Sequence, residues 1–375
     1  MENKSKNDFF VLGSCFPAEL GGPSNSVFRI VKELGGVNNF ILSTKKGLTE
    51  KLINQYNVKI DENTIIDSVN VSFFDYFFSH KFSLSLLSFV MLNVKKEDSI
   101  HLNSIFYPLS FLIMILCRLK GVSFTIAPRG ELIEQALEQN KWKKVYLWVI
   151  TSSLRKAKKV IVTSLLEKEA VLRIIPSSSC VIVPNYMDLP ERGLELDINK
   201  SNILFLGRLH PHKCIENLIK AYILLDKTVQ LKHNLIIAGA GNDEYSNYLK
   251  HLASNNPTIK FVGHITGLDK NNLYKEAKLF VLPSKSENFG NVVVEALYFG
   301  TPVIACHNSP WENLEGEKCG YFVSNSVSDL NAKIIEHLQL PSAVQLIMEK
   351  NSIQFAIDNF SLKSNSEIVK MAFKI

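Results

Sequence analysis

The chain has 375 residues, of which 46% are hydrophobic and 21% are charged, and this balance is ordinary for globular proteins. At roughly 100–200 residues per domain, the length indicates two domains or one large one. The composition excludes a disordered tail, a collagen-like chain and a coiled-coil rod. The six cysteines lack C-x-x-C spacing, which excludes a disulfide framework and a structural zinc site, so we expect reduced thiols.

The sequence shows no targeting or spanning segment. The apolar run at 9–12 is too short for a signal peptide, and the longest apolar stretch, 105–117, contains Pro108. We therefore expect a cytoplasmic protein in which the stretch 105–117 forms a buried helix.

The net charge of +6 is unevenly distributed. Residues 1–190 contain 23 basic and 17 acidic side chains, whereas residues 191–375 contain 19 of each. A one-sided basic surface implies an anionic neighbour such as nucleic acid, anionic lipid or a phosphorylated substrate, although a solvated face would give the same counts.

The first half begins in strand–turn–helix–strand order. The apolar run Asp8–Cys15 is typical of a buried strand, and the glycine-rich turn 21–24 follows it. Apolar residues at 27, 30, 31 and 34 then have the spacing of a helix face, and 39–43 is a second strand. Further strands are predicted at 97–102 and 123–127 with a helix at 105–118 between them, whereas 70–93 gives no clear period.

The same alternation restarts after the polar stretch Asn185–Ser201, which we take as the domain boundary. Strands are predicted at 202–206, 234–238, 259–262, 279–282 and 302–305, with helices between them. We therefore predict an α/β protein of two doubly wound Rossmann-like domains that face each other across a cleft. The domains are 1–190 and 191–355, and a C-terminal helix at 356–375 packs back on the first.

One segment, Pro283–Ala296, combines several features of an anion site. It leaves a strand, crosses a loop of small residues and enters a helix near Asn291, whose free amides suit a phosphate. Gly290 lets the backbone approach a ligand closely, and Glu287 and Glu295 are placed to hold hydroxyl pairs on either side. A capped helix with two solvated acids would show the same spacing.

The complete string Pro283–Ala305 resembles the donor-binding signature of the family-4 retaining glycosyltransferases, which have the GT-B fold. Other segments that match this family in order are Gly21–Ser24, Val183–Asn185, Gly207–Leu209 with Lys213, Ile236–Gly241 and Phe261–Ile265. Pro128–Leu132 resembles members that build bacterial surface polysaccharides. Cys214 and Tyr186 stand where the family often has glycine.

The resemblance implies a retaining transfer of a sugar from a nucleotide diphosphate sugar to a hydroxyl of a glycan or lipid-linked acceptor, in O-antigen, capsule or exopolysaccharide synthesis. The expected donor is a UDP-sugar, with a GDP-sugar as the alternative, and no cofactor or metal is expected. The implied catalytic residues are Arg208, Lys213, Glu287 and His101. The implied donor contacts are Gly22, Gly207, His264, Ile265, Asn288, Phe289, Gly290, Asn291, Val292 and Glu295, and the implied acceptor contacts are Pro23, Ser24 and Arg129.

The chemistry of the leaving group supports two of these roles. Breaking a sugar–nucleotide bond puts negative charge on a diphosphate, which fixed cations stabilise. Arg208 offers a fork for phosphate oxygens and Lys213 a point charge, and no D-x-D motif or metal-ligand spacing is present.

The basic first domain would then rest on anionic lipid at the inner face of the membrane. The basic residues of this patch are Lys141, Lys143, Lys144, Arg155, Lys156, Lys158 and Lys159, with Trp142, Tyr146 and Trp148 between them.

Three other functions are compatible with parts of the sequence. A nucleotide-sugar epimerase of the same fold would use the same donor site. A dinucleotide oxidoreductase would use Gly239 and Gly241, but the third glycine of G-x-G-x-x-G is replaced by Glu244. A nucleic-acid binder would use the basic half, but no recognition motif accompanies it.

Overall fold

The computed structural model describes residues 6–15, 22–77, 79, 81–138, 141–189 and 200–374. The chain divides into two compact units, Met1–Asp188 together with Asn365–Ile375, and Leu189–Ser364. Each unit contains a sheet of mostly parallel strands with helices between them, which confirms the predicted α/β class with two Rossmann-like domains. Most of the predicted boundary segment, residues 190–199, lies outside the described residues.

The first unit follows the β-α alternation expected from the sequence. Its strands are β1 (Asp8–Leu12), β2 (Asn39–Thr44), β3 (Asn63–Ile66), β4 (Val69–Phe74), β5 (Ser99–Asn103), β6 (Ser123–Ala127), β7 (Lys159–Val162) and β8 (Cys180–Ile182). Its helices are α1 (Gly22–Leu34), α2 (Glu50–Tyr56), α3 (Leu84–Asn93), α4 (Pro108–Lys120), α5 (Glu134–Glu138), α6 (Lys141–Leu154), α7 (Leu165–Ile174) and the C-terminal α15 (Ser366–Phe373).

The strands of this unit are ordered β3-β4-β2-β1-β5-β6-β7-β8, and β3 alone among these described strands runs antiparallel to its neighbour. The central strands are largely buried because both faces of the sheet are covered, and they are mostly apolar, although β5 and β6 carry the buried polar residues His101, Asn103 and Thr125. Pro108 fixes the first turn of α4, so this helix begins three residues later than predicted, and Gly121 ends it in the left-handed region.

The C-terminal helix belongs to the first unit. It contacts α1, and Lys159 Nζ donates to the carbonyls of Met371, Ala372 and Lys374 at 3.1, 3.0 and 2.9 Å. A cation at a helix C-terminus is favourable because the last carbonyls carry partial negative charge. The predicted helix 356–375 is in fact divided, since residues up to Phe360 continue a helix of the second unit.

The second unit has strands β9 (Asn202–Leu206), β10 (Leu235–Ala238), β11 (Ile259–Gly263), β12 (Ala277–Leu282), β13 (Val303–Cys306) and β14 (Gly320–Val323). Its helices are α8 (Ile215–Ile223), α9 (Lys227–Lys232), α10 (Asp243–Ala253), α11 (Gly267–Glu276), α12 (Asn291–Tyr298), α13 (Val327–Gln339) and α14 (Ser342–Phe360), with 3-10 turns at Pro211–Lys213 and Glu312–Leu314. The parallel order β11-β10-β9-β12-β13-β14 brings the carboxyl ends of β9 and β12 together.

Two glycines let the loop after β9 lie against the end of β10. A Cβ on Gly239 would lie 1.8 Å from the carbonyl oxygen of Gly207, and one on Gly241 would lie 2.0 Å from that of Leu209. Backbone packing therefore accounts for both glycines, which removes the main support for a dinucleotide-binding motif at this position.

Candidate functional site

The loops that follow β9 and β12 lie side by side at the carboxyl edge of the second sheet. The amide of Lys285 donates to the carbonyl of His212 at 2.9 Å, which ties the two loops together. Gly207 and the exposed Arg208 lead the first loop, and Lys213 ends its 3-10 turn. Ligands of open α/β sheets bind at this edge, so the predicted cations are on the expected side of the sheet.

Lys213 and Glu287 form an ion pair between these loops, with side chains 20% and 17% exposed. The hydroxyl of Ser284 lies 3.5 Å from the same carboxylate oxygen, and the amide of Glu287 donates to the carbonyl of Asn308 at 2.9 Å. A largely buried pair is screened less by salt than an exposed pair. Removing one partner would leave the other charge uncompensated.

The loop after β9 has a positive local potential. The rings of His210 and His212 stack with centroids 5.7 Å apart. Desolvation lowers the pKa of His210, and repulsion from Arg208, His212 and Lys213 lowers it further. A cluster of cationic groups at a loop of this kind suits an anionic ligand.

Gly290 places the start of α12 next to the ion pair. Its φ of 80° is left-handed, and a Cβ would lie 3.0 Å from Cγ of Glu287. Asn291 and Val292, both partly buried, form the first turn of the helix, where backbone amides have no intrahelical acceptor. The side-chain Oδ1 of Asn288 is buried and has no hydrogen-bond partner among the described residues.

Phe289 differs from the predicted role. Its ring is buried between Trp311 and Phe360, with centroids 5.5 and 5.6 Å away, and its carbonyl accepts from Trp311 Nε1 at 2.6 Å. An apolar ring is more stable in this aromatic core than against a polar ligand. Its side chain is therefore a core residue, and only its backbone amide is available for the predicted donor contact.

Glu295 lies about one turn inside α12 and is held by two side chains of α11. Its Oε1 accepts from Lys270 Nζ at 2.9 Å, and its Oε2 accepts from the Tyr274 hydroxyl at 2.7 Å. Sequence reasoning missed Lys270 and Tyr274. Their spacing of four residues, which puts both on one helix face, is a signal that could have found them.

The predicted base-contacting residues follow β11 at the sheet edge. Gly263 has a φ of 75°, and its carbonyl accepts from the amide of Gly239 at 2.7 Å. His264 is exposed and Ile265 is half-buried. The sheet order places β10 and β9 between this strand and β12, so these two residues are farther along the same edge than Glu287.

His101 does not lie where the resemblance suggested. Its ring is 1% exposed, stacks on Phe10 at 4.4 Å and meets Phe373 of α15 at 5.3 Å. Its Nδ1 lies 2.8 Å from Thr125 Oγ1, its Nε2 lies 3.5 Å from Asp8 Oδ1, and burial lowers its pKa. A ring enclosed in this way cannot contact a donor sugar, so we do not retain His101 as a catalytic residue.

The acceptor residues are brought together in part. The buried Ser24 donates to the carbonyl of Ser14 at 2.7 Å. Gly22, which was predicted as a donor contact, begins the same helix, α1. Gly21 and the side chain of Pro23 lie outside the described residues. Ser24 and Arg129 line one cavity of the first unit, together with Asn103, which sequence reasoning missed although it directly follows the strand predicted at 97–102.

The described residues contain no cluster of three His, Cys, Asp or Glu side chains that could hold a metal ion. None of the helices described is both long and apolar enough to cross a bilayer.

Residues 190–355 match the protein-family model described as glycosyl transferases group 1. The chain therefore carries a glycosyltransferase group 1 domain. This domain contains the paired loops, the Lys213–Glu287 ion pair and the start of α12, and the match confirms the family resemblance inferred from the motifs.

Curated relatives match parts of the chain. The chain is 29% identical over 138 residues to an O-antigen chain mannosyltransferase B of Escherichia coli, covering 36% of each protein. It is 35% identical over 116 residues to an uncharacterized glycosyltransferase of Methanocaldococcus jannaschii (30% of this chain, 29% of the relative). It is 33% identical over 128 residues to a D-inositol 3-phosphate glycosyltransferase of Salinispora arenicola (32% and 27%). The chain thus matches about a third of the length of each of these relatives.

Solved structures resemble the chain over nearly its full length. Anabaena Alr3699/HepE in complex with UDP and glucose has a TM-score of 0.75 at 18% identity, with 98% of this chain and 99% of that chain covered. Sucrose-phosphate synthase from Thermosynechococcus elongatus has a TM-score of 0.77 at 18% identity, with 98% of both chains covered. At such low identity these likenesses concern the fold alone, which is the GT-B fold predicted from the sequence.

Proposed function

We propose that the protein is a retaining glycosyltransferase that moves a sugar from a nucleotide diphosphate sugar to a hydroxyl of a glycan or lipid-linked acceptor. The observation that carries the proposal is the Lys213–Glu287 ion pair, which joins the loops after β9 and β12 beside the start of α12. The ammonium of Lys213 suits a departing phosphate, and the carboxylate of Glu287 suits sugar hydroxyls. Its position inside the group 1 domain supports this assignment.

In the proposed reaction the bond between the sugar C1 and the diphosphate oxygen breaks, and C1 bonds to the acceptor oxygen on the same face. The acceptor proton passes to the departing phosphate oxygen, so no protein base is required. Arg208 and Lys213 stabilise the charge that develops on the diphosphate. We propose that these fixed cations serve in place of a divalent ion.

The remaining residues of the second unit would bind the sugar, the ribose and the base of the donor. Glu287, with the amides of 288–290, holds the donor-sugar hydroxyls. Glu295 accepts from the ribose diol, and the backbone at His264 and Ile265 contacts the base. UDP-sugars are the preferred donors, because Anabaena HepE was solved with UDP and glucose, and GDP-sugars are the alternative.

The likeness to an O-antigen chain mannosyltransferase supports a place in bacterial polysaccharide synthesis. We propose that the protein works at the inner face of the cytoplasmic membrane, where α6 would meet anionic lipid. Trp142 and Trp148 are 76% and 81% exposed on this helix, with Val145 and Val149 exposed beside them. Lys144, Arg155, Lys156 and Lys158 are exposed cations of the same region.

Other members of the predicted basic patch have partners within the protein. Lys143 donates to the carbonyl of Ala136 at 2.8 Å, and the Tyr146 hydroxyl donates to that of Tyr107 at 3.2 Å. Lys159 caps α15, and the side chain of Lys141 lies outside the described residues. The proposed membrane surface is therefore the exposed face of α6 with the cations at 155–158, rather than the whole patch.

Substitution of Lys213 tests the catalytic proposal. UDP, GDP and ADP are first compared by thermal shift, and the sugar derivatives of the nucleotide that stabilises the chain are then incubated with a panel of hydroxyl acceptors. We expect Lys213→Ala to reduce glycoside formation by several tens-fold or more, because a charge contact to the departing diphosphate is lost. Products are quantified by mass spectrometry.

Lys232→Ala is the matched control, because Lys232 is an exposed lysine of α9 in the same unit. It should leave the rate within a few-fold of wild type, and a chelator should leave it unchanged. Turnover of Lys213→Ala near the wild-type rate would contradict the assigned role. Conversion of the sugar without consumption of any acceptor would instead establish the epimerase.

A further inference from the structure

The first unit contains a cavity of about 240 Å³ at the carboxyl ends of β1, β5 and β6. Its polar lining comes from five separate segments of the chain. The lining groups that matter here are Ser14, Ser24, Lys46, Asn103, Arg129 and Glu131. All of the lining residues belong to the first unit.

Arg129 is held in this cavity by an unusual backbone. Its φ of 55° is left-handed, and Gly130 follows with a φ of 82°. The amide of Gly130 donates to the fully buried carboxylate of Glu167, whose other oxygen accepts from the amide and hydroxyl of Thr163 at 2.7 and 2.8 Å. The left-handed backbone and the hydrogen bond from Gly130 to Glu167 therefore fix the position of the Arg129 backbone.

The guanidinium has only neutral partners. It donates to Asn103 Oδ1 at 2.9 and 3.2 Å, to Asn185 Oδ1 at 3.2 Å and to Ser26 Oγ at 3.5 Å. No carboxylate of the described residues forms an ion pair with it. Burial lowers its pKa to about 10, so it still carries its charge near neutral pH. The charge of the Glu167 carboxylate opposes this lowering only in part. A buried cation that forms no direct ion pair is typical of a ligand site.

The acid in the cavity does not neutralise Arg129. Glu131 is engaged by the hydroxyl of Ser104 and by the amides of Ile105 and Phe106 at 2.6 and 3.4 Å. Burial raises its pKa. Lys46 adds a second cation to the lining, so the groups that face the cavity favour an anion.

We propose that this cavity binds an anionic group of the acceptor, a phosphate or a sugar carboxylate, through Arg129 with Lys46. That the anion belongs to an acceptor rests on the proposed function, whereas the presence of an anion site does not. The planar fork of Arg129 matches the paired oxygens of either group. The acceptor class is then a phosphorylated or acidic glycan or lipid-linked sugar, rather than a neutral one.

Calorimetric titration with inorganic phosphate and with glucuronate tests the site. The titrations use the full chain with Lys213→Ala, which weakens binding of either probe in the second unit, and the substitutions at Arg129 and Lys46 assign the remaining binding to the first unit. We expect binding of one of the two probes, weakened at least roughly tenfold by Arg129→Gln and less by Arg129→Lys. Arg173→Gln, which removes an exposed arginine of the same unit, should leave the affinity unchanged.

Each outcome bears on the proposal. Binding of phosphate or of glucuronate identifies the anionic group, provided that Arg129→Gln abolishes it. Lys46→Gln changes a different segment of the lining and should weaken binding as well, which guards against misfolding of one variant. No binding of either probe, or binding that ignores both substitutions, would overturn the proposal.

Failure of this inference can be distinguished from failure of the proposed function. If nucleotides bind the chain but the anion probes do not, the anionic acceptor site is wrong and the donor assignment stands. If the probes bind at Arg129 and no nucleotide stabilises the chain, the transferase proposal is wrong.

Discussion

Glu295 shows how a single carboxylate can be held ready for a ligand. Lys270 and Tyr274 each donate to one of its oxygens, and each oxygen retains a further lone pair. Burial raises the pKa of Tyr274 well above its usual value, and the neighbouring Glu295 raises it further. The hydroxyl therefore keeps its proton and remains a donor to the carboxylate of Glu295.

Substitution of this carboxylate should affect binding more than chemistry. We expect Glu295→Gln to raise the KM for the nucleotide sugar roughly 10–100-fold with little change in kcat, because a hydrogen bond to a charged group is worth about 1.5–3 kcal/mol. Steady-state kinetics measure this split. Glu312→Gln, at an exposed position of the same unit, is the control, and a loss confined to kcat would contradict a ribose contact.

The position of a single residue was predictable where it depended only on the loop that carries the residue. Lys213 and Glu287 come from loops after neighbouring parallel strands, so their proximity follows from the motif order. His101 was not predictable, because its environment depends on Phe373 of α15, which is remote in sequence. Asn103 and His101 lie on the same face of β5. Asn103 lines the cavity because it is at the end of the strand, whereas His101, two residues earlier, is enclosed in the core.

At the scale of elements, the loop after β9 is stabilised by the end of β10. The amides of Gly207 and Leu209 donate to the carbonyls of Ala238 and Ala240 at 3.0 and 2.9 Å. Arg208 lies between these two bonds. The loop then turns through Cys214 with a φ of 47°, which explains why glycine would be favoured at that position.

Gly241→Ala should disrupt this packing. The new Cβ would lie 2.0 Å from the Leu209 carbonyl oxygen, so backbone atoms must move, and we expect a loss of about 1–3 kcal/mol in the free energy of unfolding. At about 2–4 °C per kcal/mol, calorimetry would record a lower Tm.

Gly316→Ala is the matched control, because its Cβ would meet nothing nearer than 3.6 Å. Its Tm should stay close to that of wild type. Equal melting temperatures for the two variants would show that the loop after β9 shifts without cost.

The parallel strands were predictable because burial on both faces makes them mostly apolar. The edge was not. β3 alternates exposed and buried residues and pairs antiparallel with β4, in a region where Phe, Ser and Leu give no clear period. The place of α15 depends on Lys159 and α1, contacts that no local pattern contains.

At the scale of the whole molecule, the excess positive charge and the two exposed tryptophans occur in the same unit. All of the net charge of +6 comes from residues 1–190. On α6 the buried face carries Leu147, Ile150 and Leu154, while Trp142 and Trp148 are exposed. Tryptophan and lysine together are typical of helices that lie at a membrane interface.

Co-sedimentation with liposomes tests whether this face binds lipid. We expect wild-type protein to sediment with vesicles that contain anionic lipid, less with neutral vesicles, and less at high salt, because the attraction decays within a Debye length. Trp142→Ala with Trp148→Ala should reduce binding at both salt concentrations, since the apolar contribution is insensitive to screening. Lys144→Gln with Lys156→Gln should reduce it mainly at low salt, by about 1 kcal/mol for each charge.

These two double variants separate the apolar and the electrostatic contributions. Leu231→Ala is the control, because it removes a side chain that is 74% exposed in the second unit. It should sediment like wild type. Binding that is independent of lipid charge and salt, or that the control reduces equally, would contradict the proposed membrane surface. The proposed donor site would be unaffected by this result, because α6 and the Lys213–Glu287 pair belong to different units.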